Sequence, residues 1–138
     1  MPVKPFLDTN VLIYAVAKGD PRSAQAEHLL ASGGILSVQI LNEFVSVARR
    51  KILMPWSDVL EALDAFRVLC PSPLPITVEM HEAALKIAEQ HGYNIYDALV
   101  VAAALEAGCA TLYSEDLQDG QTIDGRITVR NPFAQPSP

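Results

Sequence analysis

Four acids, Asp8, Glu43, Asp97 and Asp116, are strung along most of the 138-residue chain. Phe6-Leu7 runs straight into Asp8, and Thr9, Asn10 and the apolar Val11-Leu12-Ile13 follow. A short buried strand would deliver Asp8 at its carboxyl end, with Thr9 or Asn10 capping the next helix. Gathered carboxylates repel, and each raises the pKa of the next unless a cation lies between them. Oxygen-only ligands suit Mg²⁺ or Mn²⁺, which keep water in their shell. Such a cation acidifies water for in-line attack and stabilises charge leaving a phosphodiester. If the acids meet, metal-assisted phosphodiester hydrolysis is the chemistry they suit.

The elements that carry the acids decide whether they meet. Val11 to Val16 reads as a short helix stopped by Lys18-Gly19. Asp20 and Pro21 then suggest an N-cap and a first-turn proline for a helix from Pro21 to Ala31, with Ala24, Leu29 and Leu30 inward. Ile35 to Val38, after the pair Gly33-Gly34, is the expected second strand. Gln39 to Arg50 follows as a helix whose stripe is Ile40, Leu41, Phe44, Val45 and Ala48. Ser57 is expected to cap a helix through Leu69 that buries Val59, Leu60, Leu63 and Phe66. The proline-rich segment Cys70 to Pro75 is a connector. Val78 to His91, with Ala83, Ala84, Ile87 and Ala88 on one side, ends at Gly92. Ile95 to Ala107 opens at Asn94, with Asp97 as its capping partner, and closes at Gly108. Ala110 to Ser114 is the third strand, Glu115 to Gly125 a loop, and Arg126 to Val129 a short edge strand.

That order predicts an α/β domain with a mainly parallel sheet. A helix leaving a parallel strand starts at the strand's carboxyl edge, and so does a helix that leads back into one. Asp8 closes the first strand, and Glu43 lies about a turn into the helix leaving the second. Asp97 stands in the first turn of the helix returning to the third strand, and Asp116 lies just past that strand. All four are therefore expected on one rim, where open α/β sheets bind ligands. Asp119 is a few residues beyond.

Half of the residues are hydrophobic, which suits a sheet covered on both faces. Residues 1–133 read as one domain and 134–138 as a frayed tail. No apolar run approaches the roughly 20 residues of a membrane span. The N-terminus lacks the pattern of a secretory leader, so a cytoplasmic protein is expected. Cys70 and Cys109 have neither metal-ligand nor redox spacing and read as buried free thiols. A net charge of −6 argues against phosphate neutralisation as a general binding mode. A local acid cluster that captures divalent cations escapes that argument.

Leu7-Asp8-Thr9-Asn10-Val11-Leu12, Asn42-Glu43-Phe44, the run from Tyr96-Asp97 to Ala104, and Tyr113-Ser114-Glu115-Asp116-Leu117 together resemble the PIN-domain ribonucleases. The chain looks particularly like the VapC-type toxins of prokaryotic toxin–antitoxin pairs. The resemblance implies a three-layer α/β/α fold and a Mg²⁺- or Mn²⁺-dependent RNA endonuclease. Asp8, Glu43, Asp97 and Asp116 match its acidic set, and Thr9, Asn10 and Ser114 match the small polar residues that support it. Asp8, Asp97 and Asp116 would hold metal, with Glu43 and Asp119 as further candidates; Asp116 and Asp119 compete for the closer position. A homodimer and a cognate antitoxin are also implied.

Arg50 shares a helix face with Glu43 and Ser46, which suggests contact with RNA phosphate. Trp56 is a helix anchor or a stacking surface. His28, His81 and His91 are scattered and offer no general base. A second enzyme class, the haloacid-dehalogenase-like phosphatases, would use Asp8 as nucleophile and wants an acid two positions later. Asn10 stands there. A non-catalytic binding module on the same scaffold is the third reading.

Overall fold

The computed structural model describes residues 3–134. Its centre is β1 (Phe6–Leu7), both of whose side chains are fully buried. β2 (Thr111–Tyr113) pairs parallel to β1, and β4 (Ile127–Arg130) pairs parallel to β2. β3 (Thr122–Ile123) is antiparallel to β4, giving the order β1-β2-β4-β3. On the far side of β1, Phe6 bridges Ile35 and Ser37 bridges Leu74, both in parallel sense.

The second strand expected over Ile35 to Val38 is therefore only a pair of bridges. Its residues are extended too briefly, because the Ser37 hydroxyl accepts from the Ile40 amide and starts α3 (Val38–Arg50) at once. At the other side the sequence predicts a loop and an edge strand. Instead β4 is interior, and β3 covers it. Asp124 and Gly125 both take positive φ, and the Arg126 amide donates to the Ile123 carbonyl. That is the mirror-image turn an Asp-Gly pair favours between two strands.

The helices form two groups. α1 (Thr9–Val16), α2 (Ser23–Ala31), α3 and α4 (Trp56–Leu69) pack on one another, and α5 (Val78–His91) packs on α6 (Ile95–Glu106). The sheet lies between them, so the architecture is three-layer α/β/α. The apolar side chains form one cluster around Phe6, Leu12, Leu36, Ile40, Phe44 and Val101. Gly34 lies against β1 so closely that a Cβ would stand 2.6 Å from Leu7 Cδ1. The alanine run in α6 is buried as well, which lets that helix sit close to its neighbours.

Several local expectations are corrected. Asp20 does not cap α2: its carboxylate accepts from the Arg22 amide and guanidinium, and the helix begins at Ser23. Ala26, rather than Ala24, faces the core with Leu30. α4 starts at Trp56 without a side-chain cap, so Ser57 lies inside it. Leu60 is 57% exposed, leaving Val59 and Phe66 as that helix's buried residues. On α5, Ala83 is exposed and Met80 takes the inward position. Gly92 closes α5 at φ +73°, as its sequence position suggested. Cys70 and Cys109 are free and buried, and burial pushes both thiols up, Cys109 to about 11. Among the described residues no helix is long and apolar enough to cross a membrane. Residues 135–138 of the expected tail lie outside the described residues.

Candidate active site

Asp8 caps α1 itself, which corrects the assignment to Thr9 or Asn10. Its backbone is extended, and its carboxylate accepts from the Thr9 amide at 2.7 Å. The backbone amide of Asp8 still belongs to the sheet, donating to the Tyr113 carbonyl. Ser114 Oγ, just past β2, donates to the second carboxylate oxygen at 2.7 Å. Asp8 is only 4% exposed. Burial pushes its carboxyl up to about 6; the bonds from Ser114 and Thr9 oppose the shift, and the nearby charges of Asp116 and Glu43 add to it.

Glu43 projects from α3 to meet this pair. Thr9 Oγ1 donates to one of its oxygens at 2.6 Å, and Gln39 Nε2 donates to the other at 2.9 Å. The same Gln39 amide reaches the Tyr96 carbonyl at 3.1 Å. One buried glutamine thus joins α3 to the first turn of α6, where Asp97 stands. Asn94 fixes that turn: its oxygen accepts from the Asp97 amide, and its amide donates to the Asp97 carboxylate, both at 2.9 Å. Partial burial raises the Asp97 carboxyl, with the charges of Asp116 and Glu43 adding and the Asn94 bond opposing. Asp116 is exposed; Asn10 Nδ2 donates to it at 3.3 Å, and its amide donates to Ser114 Oγ.

The charges of Asp116 and Glu43 therefore act on both Asp8 and Asp97. Thr9 touches Asp8 and Glu43, Ser114 touches Asp8 and Asp116, and Asn10 touches Asp116. Asp119 is elsewhere engaged, accepting from the Asn131 amide, and is not among the charges that raise Asp8 or Asp97. Arg50 is exposed and folds its Nε onto Ser46; two turns separate it from Glu43, about 10 Å along the helix. Trp56 is exposed, with the Arg49 guanidinium 4.8 Å from its ring centroid. Gln39 was missed by sequence reasoning. The available signal was its place one turn before Glu43, on the same helix face.

Among the described residues the ion pairs are those of Arg22 with Asp20 and Glu115, so no basic side chain pairs with the four acids. Their donors are all carboxylate oxygens, which suits Mg²⁺ or Mn²⁺. Among the described residues no group of three or more His, Cys, Asp or Glu side chains stands close enough together to hold a metal ion as placed. Mg²⁺ keeps several waters and takes only one or two carboxylates directly, so it asks least of such a set.

Fold and site together define an α/β domain with a carboxylate cluster at the carboxyl edge of its parallel strands. The chain belongs to the PIN-domain family, whose model matches residues 6–118. Among solved structures it is similar to VapC20 of Mycobacterium tuberculosis, described as a toxin that cleaves the sarcin–ricin loop. The TM-score is 0.64 at 22% identity, covering 80% of this chain and 88% of that one. It is also similar to VapBC2 from Rickettsia felis, bound to a DNA fragment from its promoter. There the TM-score is 0.64 at 20% identity, covering 91% and 96% of the two chains. No curated protein matches the sequence.

Proposed function

We propose that this protein is a Mg²⁺- or Mn²⁺-dependent endoribonuclease and the toxin of a toxin–antitoxin pair. The observation that carries the reading is that the charges of Glu43 and Asp116 act on both Asp8 and Asp97, four acids from remote parts of the chain that have no basic partner among the described residues. Asp8, Asp97 and Asp116 would hold the cation, with Glu43 completing the set. Asp119, occupied with Asn131, is the weaker candidate. A bound ion would supply an acidified water and offset charge on the leaving oxygen.

The chain's own part is positioning and proton control. Ser114 and the Thr9 amide hold the two oxygens of Asp8, Thr9 and Gln39 hold those of Glu43, and Asn94 holds Asp97. Asn10 serves as a donor to Asp116, where a phosphatase of the haloacid-dehalogenase type would want a second acid. That favours Asp8 as a ligand over Asp8 as a nucleophile.

Residues 1–133 act as one unit in this reading, supported by a single apolar cluster that reaches from Phe6 to Phe133. The likeness to the VapBC2 complex supports a protein antitoxin as partner. Exposed apolar side chains at Leu53, Trp56 and Leu60 leave a surface such a partner could cover. A homodimer, a cytoplasmic location and Arg50 as a contact to RNA phosphate complete the proposal.

The test is cleavage of RNA by purified protein with Mg²⁺ or Mn²⁺. Asp8→Asn should abolish cutting while the protein remains folded by circular dichroism. Undiminished cutting by that variant, or by wild type in excess chelator, would overturn the mechanism.

A further inference from the structure

Tyr14, Arg22 and Glu115 form a chain of contacts that ends one residue from Asp116. Tyr14 Oη lies 2.6 Å from Glu115 Oε1 and 2.7 Å from Arg22 Nη1. A guanidinium can only donate, so the tyrosine hydroxyl accepts from Arg22 and its own proton is directed to Glu115. Arg22 is itself fixed by a two-pronged bond to Asp20, at 2.9 and 2.8 Å. Its Cζ stands 3.7 Å from the Tyr14 ring centroid, and Phe133 meets that ring edge-on at 4.9 Å. The Tyr14 phenol is pushed up to about 12, by burial first and then by Glu115, so its proton stays in place at neutral pH.

Asn10 lies one turn before Tyr14 on α1 and donates to Asp116. One face of α1 therefore fastens two successive acids of the loop, while Ser114 fastens the loop to Asp8. Arg22 also stands 3.7 Å from the second Glu115 oxygen. Glu115 is thereby paired away, and a fifth free carboxylate is kept out of the cluster.

We propose that Tyr14 is a positioning residue, which with Arg22 clamps Glu115 and so sets the place of Asp116 on the acid rim. The consequence for cation binding rests on the metal-dependent reading above. The clamp itself does not.

Tyr14→Phe removes only the hydroxyl and keeps the ring that Phe133 and Arg22 pack against. In metal-free protein, amide exchange over residues 115–118 should quicken several-fold in this variant and in Glu115→Gln. In calorimetric titration with Mn²⁺ and no RNA, both variants should bind roughly tenfold more weakly than wild type, the loss typical of removing a group that orients a metal ligand. Tyr93→Phe, which removes a hydroxyl bond to Gln121, is the control for a general loss of stability and should bind Mn²⁺ as wild type does. If wild type binds Mn²⁺ and Tyr14→Phe binds it equally well, or no worse than Tyr93→Phe, the clamp is overturned. If wild type binds no Mn²⁺, the metal reading fails, and exchange over 115–118 decides the clamp: faster supports it, unchanged overturns it.

Discussion

Burial, which pushes the Asp8 carboxyl up to about 6, makes this residue a burden on the metal-free protein. Its ordinary value is 3.8, so between about pH 4 and 6 the folded chain keeps a proton that the unfolded chain has released. The unfolded state binds fewer protons there, and stability falls as pH rises through the window. A shift of this size corresponds to roughly 3 kcal/mol at most. Chemical denaturation of metal-free protein should therefore show higher stability at pH 4.5 than at pH 7. Asp97, raised in the same direction, adds to the trend. Asp8→Asn should flatten much of the slope and raise metal-free stability at pH 7 by about 1–3 kcal/mol. The substituted amide can still accept from the Thr9 amide and donate to Ser114 Oγ. Equal slopes in the two proteins would remove Asp8 as the cause. Gln39 presents the opposite case. Gln39→Ala leaves a half-buried Glu43 oxygen and the Tyr96 carbonyl without their shared donor, at an expected cost of about 1 kcal/mol by urea denaturation.

At the scale of elements, the site depends on how tightly β1 is seated and how α6 begins. A Cβ at Gly34 would stand 2.6 Å from Leu7 Cδ1 and 3.1 Å from the Pro5 carbonyl, so β1 would have to shift. Gly34→Ala should cost about 1–3 kcal/mol, an overpacking penalty read from the denaturation midpoint. Asn94→Ala should cost about 1 kcal/mol through loss of the α6 cap and should also free the Asp97 carboxylate it holds. The long helices were legible because each carries an apolar stripe over several turns. α5 is found from Val78 to His91 as its spacing predicts. The strands were less so, since two or three residues carry too little periodicity to separate a strand from a bend. β3 was hidden inside an Asp- and Gly-rich loop, although Asp124-Gly125 is the sequence sign of its turn. Topology alone brought Asp8, Glu43, Asp97 and Asp116 to one rim. Gln39 left only the weak signal of standing one turn before Glu43, and Glu115 left none, because an ordinary loop acid looks the same whether or not it holds a neighbour.

Considered as a whole, the molecule is acidic, with a net charge of −6, and its proposed substrate is a polyanion. A protein that bound RNA through many Lys and Arg contacts would lose affinity steeply with salt, in proportion to the phosphates neutralised. Here the expected dependence on monovalent salt is shallow, a slope of about 1–2, and Arg50→Ala should lower it by about 1. Attraction would instead come through the divalent cation, and binding of that cation is linked to protons on the acids it needs. At a Mg²⁺ concentration of 100 times its dissociation constant, binding to the folded state alone adds about 2.7 kcal/mol of stability. That gain should be present at pH 7.5 and fade as pH falls through about 6, where Asp8 takes up its proton. Metal-free stability moves the other way over the same range. Melting temperatures with and without Mg²⁺ should therefore converge on acidification, and the two curves should meet at a higher pH than a carboxyl at its ordinary value would allow. Curves that stay parallel down to pH 5 would separate the cation from Asp8 and leave the acid rim without its proposed ligand.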